Sequence, residues 1–246
     1  AGLARLGHKT AFIGQVANDQ LGQVFAHDIR AGGIDFDVPA RDGAPSTARC
    51  YILVTPDAQR TMNTFLGASQ YLPATLIDKA LIESAAILYL EGYLWDPEEP
   101  RAAMRAAIDI ARAAGRFLAE MDAGRIDILF ANEVEICALN NSDDFEASVA
   151  AIAAKVPLLV CTRGEHGAIA IENGVRTEVG AEPVAQLVDT TGAGDLFASG
   201  VFAGIAQGRP MAECLVMGAV CAAEVISHYG ARPEADIAEL VAKRLA

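Results

Sequence analysis

The sequence predicts an α/β protein, with a mostly parallel central sheet, helices on both faces and a small β-sheet lid. Two observations lead to the core: strand-length apolar runs recur along the 246 residues, and helix-length segments separate many of them. A third leads to the lid. Residues 33–71 carry turn clusters (Asp35-Phe36-Asp37-Val38-Pro39, Thr55-Pro56-Asp57-Ala58) and alternating polar and apolar residues, with no convincing helix. Strands that are apolar throughout need cover on both faces, which is the pattern of a parallel sheet, and such sheets bind ligands beyond the carboxyl ends of their strands.

In order along the chain, Ala1–Leu6 reads as the middle of a helix with Gly7 as its C-cap, so the natural start is expected before Ala1. The apolar runs are Thr10–Ile13, Tyr51–Val54, Ala86–Leu90, Ile126–Phe130, Leu158–Cys161 and Ala168–Ile171. Asp19, within Gly14–Gly22, reads as a helix cap. The clearest helix spans about Pro100 to Ala114. Asp96-Pro97 opens it, Gly115 closes it, and Met104, Ile108 and Ala111 share its apolar face. A strand should follow, yet Phe117–Met121 reads as another helix, which points to residues missing between Arg116 and Phe117. The organisation expected is therefore a first part of the α/β core over residues 1–32, the lid over 33–71 and the rest of the core over 72–246.

Bulk composition narrows the function. A hydrophobic content of 52% is enough for a large core, so disorder is excluded. A net charge of −13 argues against a nucleic-acid partner, which needs a basic footprint, and favours a small-molecule ligand. The apolar stretches are broken by Glu, Arg or Gly before membrane-spanning length, so no membrane partner is expected. Five cysteines without CxxC spacing, with Cys161 and Cys214 inside apolar runs, read as reduced core thiols and a cytoplasmic setting. The four histidines are scattered without zinc-site spacing, and a Walker A sequence is absent.

The strongest chemical signal is Val188-Asp189-Thr190-Thr191-Gly192-Ala193-Gly194-Asp195-Leu196-Phe197-Ala198-Ser199-Gly200, an extended run that meets a Gly-rich turn and then a small-residue helix. Free N–H groups at a helix start make an anion site, and Gly192 and Gly194 let the backbone come close to a phosphate. A lone Asp in a first helical turn is as well explained by the helix dipole as by catalysis. The flanking glycines and threonines tilt Asp195 towards catalysis.

This stretch resembles the C-terminal signature of the ribokinase-like (PfkB) family of carbohydrate and nucleoside kinases. The resemblance implies a ribokinase-like fold with ATP and Mg2+ as cofactors, Asp195 as the base that takes the proton from the substrate hydroxyl, and the Gly192, Ala193 and Gly194 amides as the hold on the transferring phosphate. Asn132 and Glu135 read on their own as an N-cap and its capping-box partner. The resemblance adds a role in organising Mg2+ and phosphates, usually through water. Thr162-Arg163-Gly164-Glu165-His166-Gly167 reads as a hairpin connection; the resemblance makes Thr162 and Gly164 ATP contacts and lets Arg163 reach a phosphate. Glu91, at the end of a strand, is a solvated acid or, by resemblance, a contact to a substrate hydroxyl. Asp189 and Thr191 form local turn hydrogen bonds or, by resemblance, a loop for a monovalent cation such as K+, completed near Gly230-Ala231. Gly230 lies in a region that relatives use for the nucleotide.

Within the family, Arg60–Ala68 and Tyr89–Trp95 are similar to the adenosine-kinase-like branch, with Phe65, Tyr93 and Trp95 as rings that either stack on a base or pack the lid and core. A ribose- or fructose-type sugar kinase is the close alternative, and a non-catalytic nucleotide-binding relative a further one. The family's first strand and its substrate-binding Asp have no counterpart after Ala1. The assembly expected is a monomer or a lid-mediated homodimer.

Overall fold

The computed structural model describes residues 1–43, 45–115, 117–119 and 127–246. In chain order the elements are α1 (Gly2–Arg5), β1 (Thr10–Ala11), α2 (Gln20–Ala31), β2 (Ile34–Asp35), β3 (Arg49–Val54), β4 (Arg60–Phe65), α3 (Lys79–Ser84), β5 (Ile87–Tyr89), α4 (Glu98–Ala113) and β6 (Phe117–Ala119). There follow β7 (Ile128–Asn132), α5 (Glu133–Leu139), α6 (Phe145–Ala153), β8 (Leu158–Thr162), β9 (Ala168–Glu172), β10 (Val175–Val179), α7 (Ala193–Ala206), α8 (Met211–Val225) and α9 (Ile237–Leu245). They sort into two compact units: one holds Ala1, His8–Thr55 and Arg60–Leu118, the other Gly2–Gly7, Pro56–Gln59 and Ala119–Ala246.

In the first unit β1 pairs in parallel with β2, β5 neighbours β6, and β3 and β4 form an antiparallel hairpin from Arg49 opposite Phe65 to Val54 opposite Arg60. Asp19 is the N-cap of α2. Its carboxylate accepts from the Gly22 amide at 2.7 Å, the Thr47 amide at 2.8 Å and the Thr47 hydroxyl at 2.7 Å, which ties the helix start to the segment entering the hairpin. The Thr47 hydroxyl, followed by the two amides, holds this carboxyl below its ordinary pKa. Phe12, Phe25 and Phe36 meet with centroids 5.5 to 6.0 Å apart over the α2 packing face. Helix α4 buries Pro100, Ala103, Ala107, Ile108 and Ala111, at the spacing its apolar stripe predicts.

The second unit contains a four-stranded sheet in the order β10-β9-β8-β7, with β7 and β8 parallel and the other two pairings antiparallel. Strand β8 is its buried centre: Leu159, Val160 and Cys161 have no exposure, and Leu129, Ile136, Val149 and Ile169 pack with Leu159 and Cys161. The other core of this unit is helical. Met217, Cys221 and Val225 of α8 meet Leu196 and Ala203 of α7, with Ile237 and Val241 of α9 and Leu3 and Leu6 near the N-terminus.

Helices α7 and α8 approach backbone to backbone, and three glycines make that possible. A Cβ on Gly200 would lie 2.4 Å from the Met217 carbonyl oxygen, one on Gly218 2.8 Å from the Phe197 carbonyl oxygen, and one on Gly204 2.9 Å from the Cys214 Cα. No side chain fits in such a gap, so the small-residue composition of these helices is a packing requirement.

Several expectations need correction. Phe117–Ala119 is strand β6, so this part of Phe117–Met121 is not helical; the remainder lies outside the described residues. Phe117, Leu118 and Ala119 take the extended form because they pair with β5, which outweighs the helix preference of Leu and Ala. Strand β9 is antiparallel to its neighbours, as the hairpin connection before it suggests, and Val175–Val179 is a further strand that the apolar pattern did not reveal. Residues 33–71 include a short 3-10 turn, Gly67–Tyr71. Cys161, Cys214 and Cys221 are buried free thiols whose pKa burial pushes up to about 12, 11 and 12, as unreactive core thiols should be. Among the described residues no helix is long and apolar enough to cross a membrane.

Gly200→Ala places a methyl group against main chain and is expected to cost about 1–3 kcal/mol. A urea midpoint unchanged within error would show that α7 and α8 can separate without penalty.

Candidate active site

Strands β7 and β8 bring two predicted residues side by side, because their parallel register pairs Asn132 with Thr162 at the carboxyl end of the sheet. Asn132 is the N-cap of α5. Its side-chain oxygen accepts from the Glu135 amide at 2.9 Å, and the Glu135 carboxylate accepts from the Asn132 amide at 2.8 Å, a complete capping box. The cap that the residues suggested on their own is therefore formed, with Glu135 exposed.

Thr162 also pairs with Ala168, so the Thr162–Gly167 segment connects antiparallel strands, as its two glycines suggest. Gly164 adopts φ +53°, is exposed, and has no atom within 4 Å of the position a Cβ would take. Arg163, a candidate for phosphate contact, lays its guanidinium over the Phe145 ring at 5.2 Å, and its buried Nε has no hydrogen-bond partner.

The turn before α7 is built around a buried carboxylate. Asp189 is 3% exposed. Its Oδ1 accepts from the Thr191 amide at 2.9 Å and the Thr191 hydroxyl at 2.6 Å, and its Oδ2 accepts from the Gly230 amide at 3.0 Å. The Val188 amide donates to the Ile226 carbonyl at 2.9 Å, so the extended run is fixed to the end of α8. The local hydrogen bonds expected of Asp189 and Thr191 are thus present, and a separate one joins Asp189 to Gly230 across 41 residues.

Gly192 then reverses the chain with φ +81°, in the left-handed region that glycine adopts without penalty. A Cβ there would stand 2.8 Å from the Ala231 Cβ, so the turn is also closed against the Gly230-Ala231 segment. The first helical bond runs from the Leu196 amide to the Gly192 carbonyl at 2.9 Å, so the helix begins directly at the left-handed glycine. The Ala193 amide makes a long 3.3 Å bond to the Thr190 carbonyl. Gly194 and Asp195 are exposed, and a Cβ on Gly194 would meet nothing within 4 Å. This arrangement presents main-chain donors, a helix dipole and a carboxylate together at one exposed end.

Glu91 is exposed, two residues past the end of β5 in the first unit, and precedes a 3-10 turn at Gly92–Leu94. The other predicted site residues belong to the second unit.

Sequence reasoning missed Glu224. This acid is 9% exposed, and its Oε1 accepts from the Glu234 amide at 2.8 Å and the Ala235 amide at 2.7 Å, with His228 Nε2 at 3.3 Å. Burial pulls the His228 imidazole down, but the Tyr229 carbonyl, Glu224 and Glu234 outweigh it and hold its pKa above the ordinary range. The signal was available: Glu224 is an acid inside a helix that is otherwise apolar nearly all round.

Comparison with known proteins defines the class. Residues 1–238 match the pfkB family carbohydrate kinase, and the chain belongs to that family. It is similar to a probable sugar kinase protein from Rhizobium etli CFN 42, at 38% identity and a TM-score of 0.96 over 99% of this chain and 79% of that one. It is equally similar to the adenosine kinase from Sinorhizobium meliloti, at 38% identity and a TM-score of 0.94 over 100% of this chain and 80% of that one. A probable fructokinase-7 of Arabidopsis thaliana is 28% identical over 94% of this chain and 77% of its own length. The fold is ribokinase-like, and the protein is a phosphotransferase of the sugar and nucleoside kinase kind, acting on hydroxyl groups.

Asn132→Ala is expected to lower stability by about 0.5–2 kcal/mol through loss of the cap, and Asn132→Asp to restore it. Urea midpoints of the two variants decide this; equal midpoints for Ala and Asp would remove the cap's contribution.

Proposed function

We propose that the protein transfers the γ-phosphate of ATP to a hydroxyl of an adenosine-like nucleoside, with Asp195 as general base. The observation that carries this reading is the exposed carboxylate of Asp195 in the first turn of a helix opened by a left-handed Gly192. In-line phosphoryl transfer needs little covalent chemistry from the protein; it needs positioning and stabilisation of charge. Asp195 orients the acceptor hydroxyl and takes its proton as the oxygen attacks phosphorus. The Gly192, Ala193 and Gly194 amides face the oxygens where negative charge gathers, with the dipole of α7 behind them.

Thr162 and Gly164 lie at the carboxyl end of β8 and contact the nucleotide in this reading, with Gly230 completing its side. Mg2+ keeps most of its waters and takes one or two carboxylates together with phosphates. The exposed Glu135, with Asn132 beside it, is a donor of that kind, and the ion would neutralise phosphate charge. Asp189 and Thr191 would hold a K+-type cation, since a carboxylate that accepts hydrogen bonds on both oxygens still has lone pairs to offer. The hairpin of β3 and β4, within residues 33–71, acts as a lid that excludes water, while residues 1–32 and 72–246 form the core. Glu91 binds an acceptor hydroxyl.

The nucleoside acceptor is supported by the 38% identity to an adenosine kinase, against 28% for the fructokinase relative. Among the aromatic candidates, Phe65 lies under Arg49 at 4.6 Å and Trp95 under Arg105 at 5.6 Å, and Tyr93 is 82% exposed. A sugar acceptor is the second reading, supported by the equal identity to a probable sugar kinase.

The test is ADP release by the full-length protein with ATP and Mg2+, in KCl and in choline chloride, over adenosine, other nucleosides, ribose and fructose. Turnover with adenosine, faster in KCl, is expected, with kcat falling about 10²–10⁴-fold in Asp195→Asn. Turnover with sugars alone moves the acceptor to the second reading. Full activity of Asp195→Asn would remove the base assignment.

A further inference from the structure

Glu224 does nothing in the chemistry described above, yet its position is costly. It sits at the C-terminal end of α8, among the buried residues Cys221 and Val225, and its Oε2 is out of solvent with no hydrogen-bond partner. A buried carboxylate oxygen without a partner opposes folding, and an apolar residue at 224 would suit this core better. The other oxygen explains what the carboxylate holds. Oε1 gathers two main-chain amides, Glu234 at 2.8 Å and Ala235 at 2.7 Å, and the His228 ring at 3.3 Å. All three partners flank one short segment, which crosses from α8 to α9. That segment carries Gly230, whose amide reaches Asp189 Oδ2, and Ala231, which closes on Gly192.

We infer that Glu224 is a positioning residue for phosphoryl transfer: by pinning both ends of the 228–235 segment, it sets the Gly230 amide against Asp189 and Ala231 against Gly192, and so fixes the anion-binding turn. The inference rests on the kinase reading for its consequence and on the hydrogen bonds alone for the clamp. Its action is indirect, through main chain, so it bears on how firmly the Gly192–Gly194 amides are held where charge develops. Such an effect appears in kcat more than in ground-state ATP binding.

The test uses the full-length protein as wild type, Glu224→Ala, Glu224→Gln and Asp144→Ala. The last removes the N-cap of α6 in the same unit and supplies a loss of stability away from the segment. Amide hydrogen exchange is followed at Gly230 and, for reference, at Leu129 and Val160, beside kcat and the Kd for ATP. In Glu224→Ala, exchange at Gly230 is expected to quicken at least tenfold with the reference amides unchanged, and kcat to fall at least tenfold with the ATP Kd within threefold. Glu224→Gln keeps an oxygen acceptor and should retain most of both. If Glu224→Ala does not fold, Ala235→Pro, which deletes one donor and leaves the carboxylate, should quicken exchange at Gly230 and lower kcat in the same way. Wild-type exchange at Gly230 in Glu224→Ala, or an equal loss of kcat in Asp144→Ala, would overturn the inference. A wild type without turnover on any acceptor, but with Gly230 exchange that still answers to Glu224, would overturn the kinase reading and the positioning role while leaving the clamp intact.

Discussion

The structure around the candidate site depends on how closely α7 and α8 can lie. Their backbones touch at Gly200, Gly204 and Gly218, where a methyl group would strike main chain or the Cys214 backbone. That contact sets where α7 starts, and the start of α7 is the turn that carries Gly192 and Asp195. The far end of α8 is constrained by the same contact, and from it the chain continues into the segment that answers Asp189. Two buried acids, Asp189 and Glu224, then hold that segment at different points, Asp189 at Gly230 and Glu224 at Glu234 and Ala235. Neither meets an arginine or lysine in the hydrogen bonds described; each gathers two main-chain amides, which gives directional control of the backbone rather than simple charge neutralisation.

Much of this was legible because it is local. A glycine pair flanking Ala193 before an apolar small-residue run announces a helix start, and Asn132 with Glu135 three residues on announces a capping box; the geometry of each is settled within a few residues. Asp19 was legible as a cap for the same reason, although its bonds to Thr47 could not be foreseen from spacing. Helix α4 was legible because its apolar stripe keeps one period over sixteen residues.

What the sequence concealed is non-local. The amides that Glu224 receives are ten and eleven residues away, and main-chain donors leave no residue signature. Strand direction was not written in the apolar run of β9, which looks the same whichever way its neighbour travels; only the two-glycine connection before it pointed to an antiparallel pair. In β6, pairing with β5 overrode the helical preference of Leu118 and Ala119, because a three-residue element is decided by its partner.

The glycines of the α7 region differ in who demands them. At 192, 200 and 204 the polypeptide itself forbids a side chain, since its own atoms already fill the space. At 194 the polypeptide makes no such demand: the space is open and the backbone ordinary. A methyl group there would leave the fold indifferent and would intrude only on a visitor. Residue 194 is thus the position in this turn where the chain's own packing asks for no glycine.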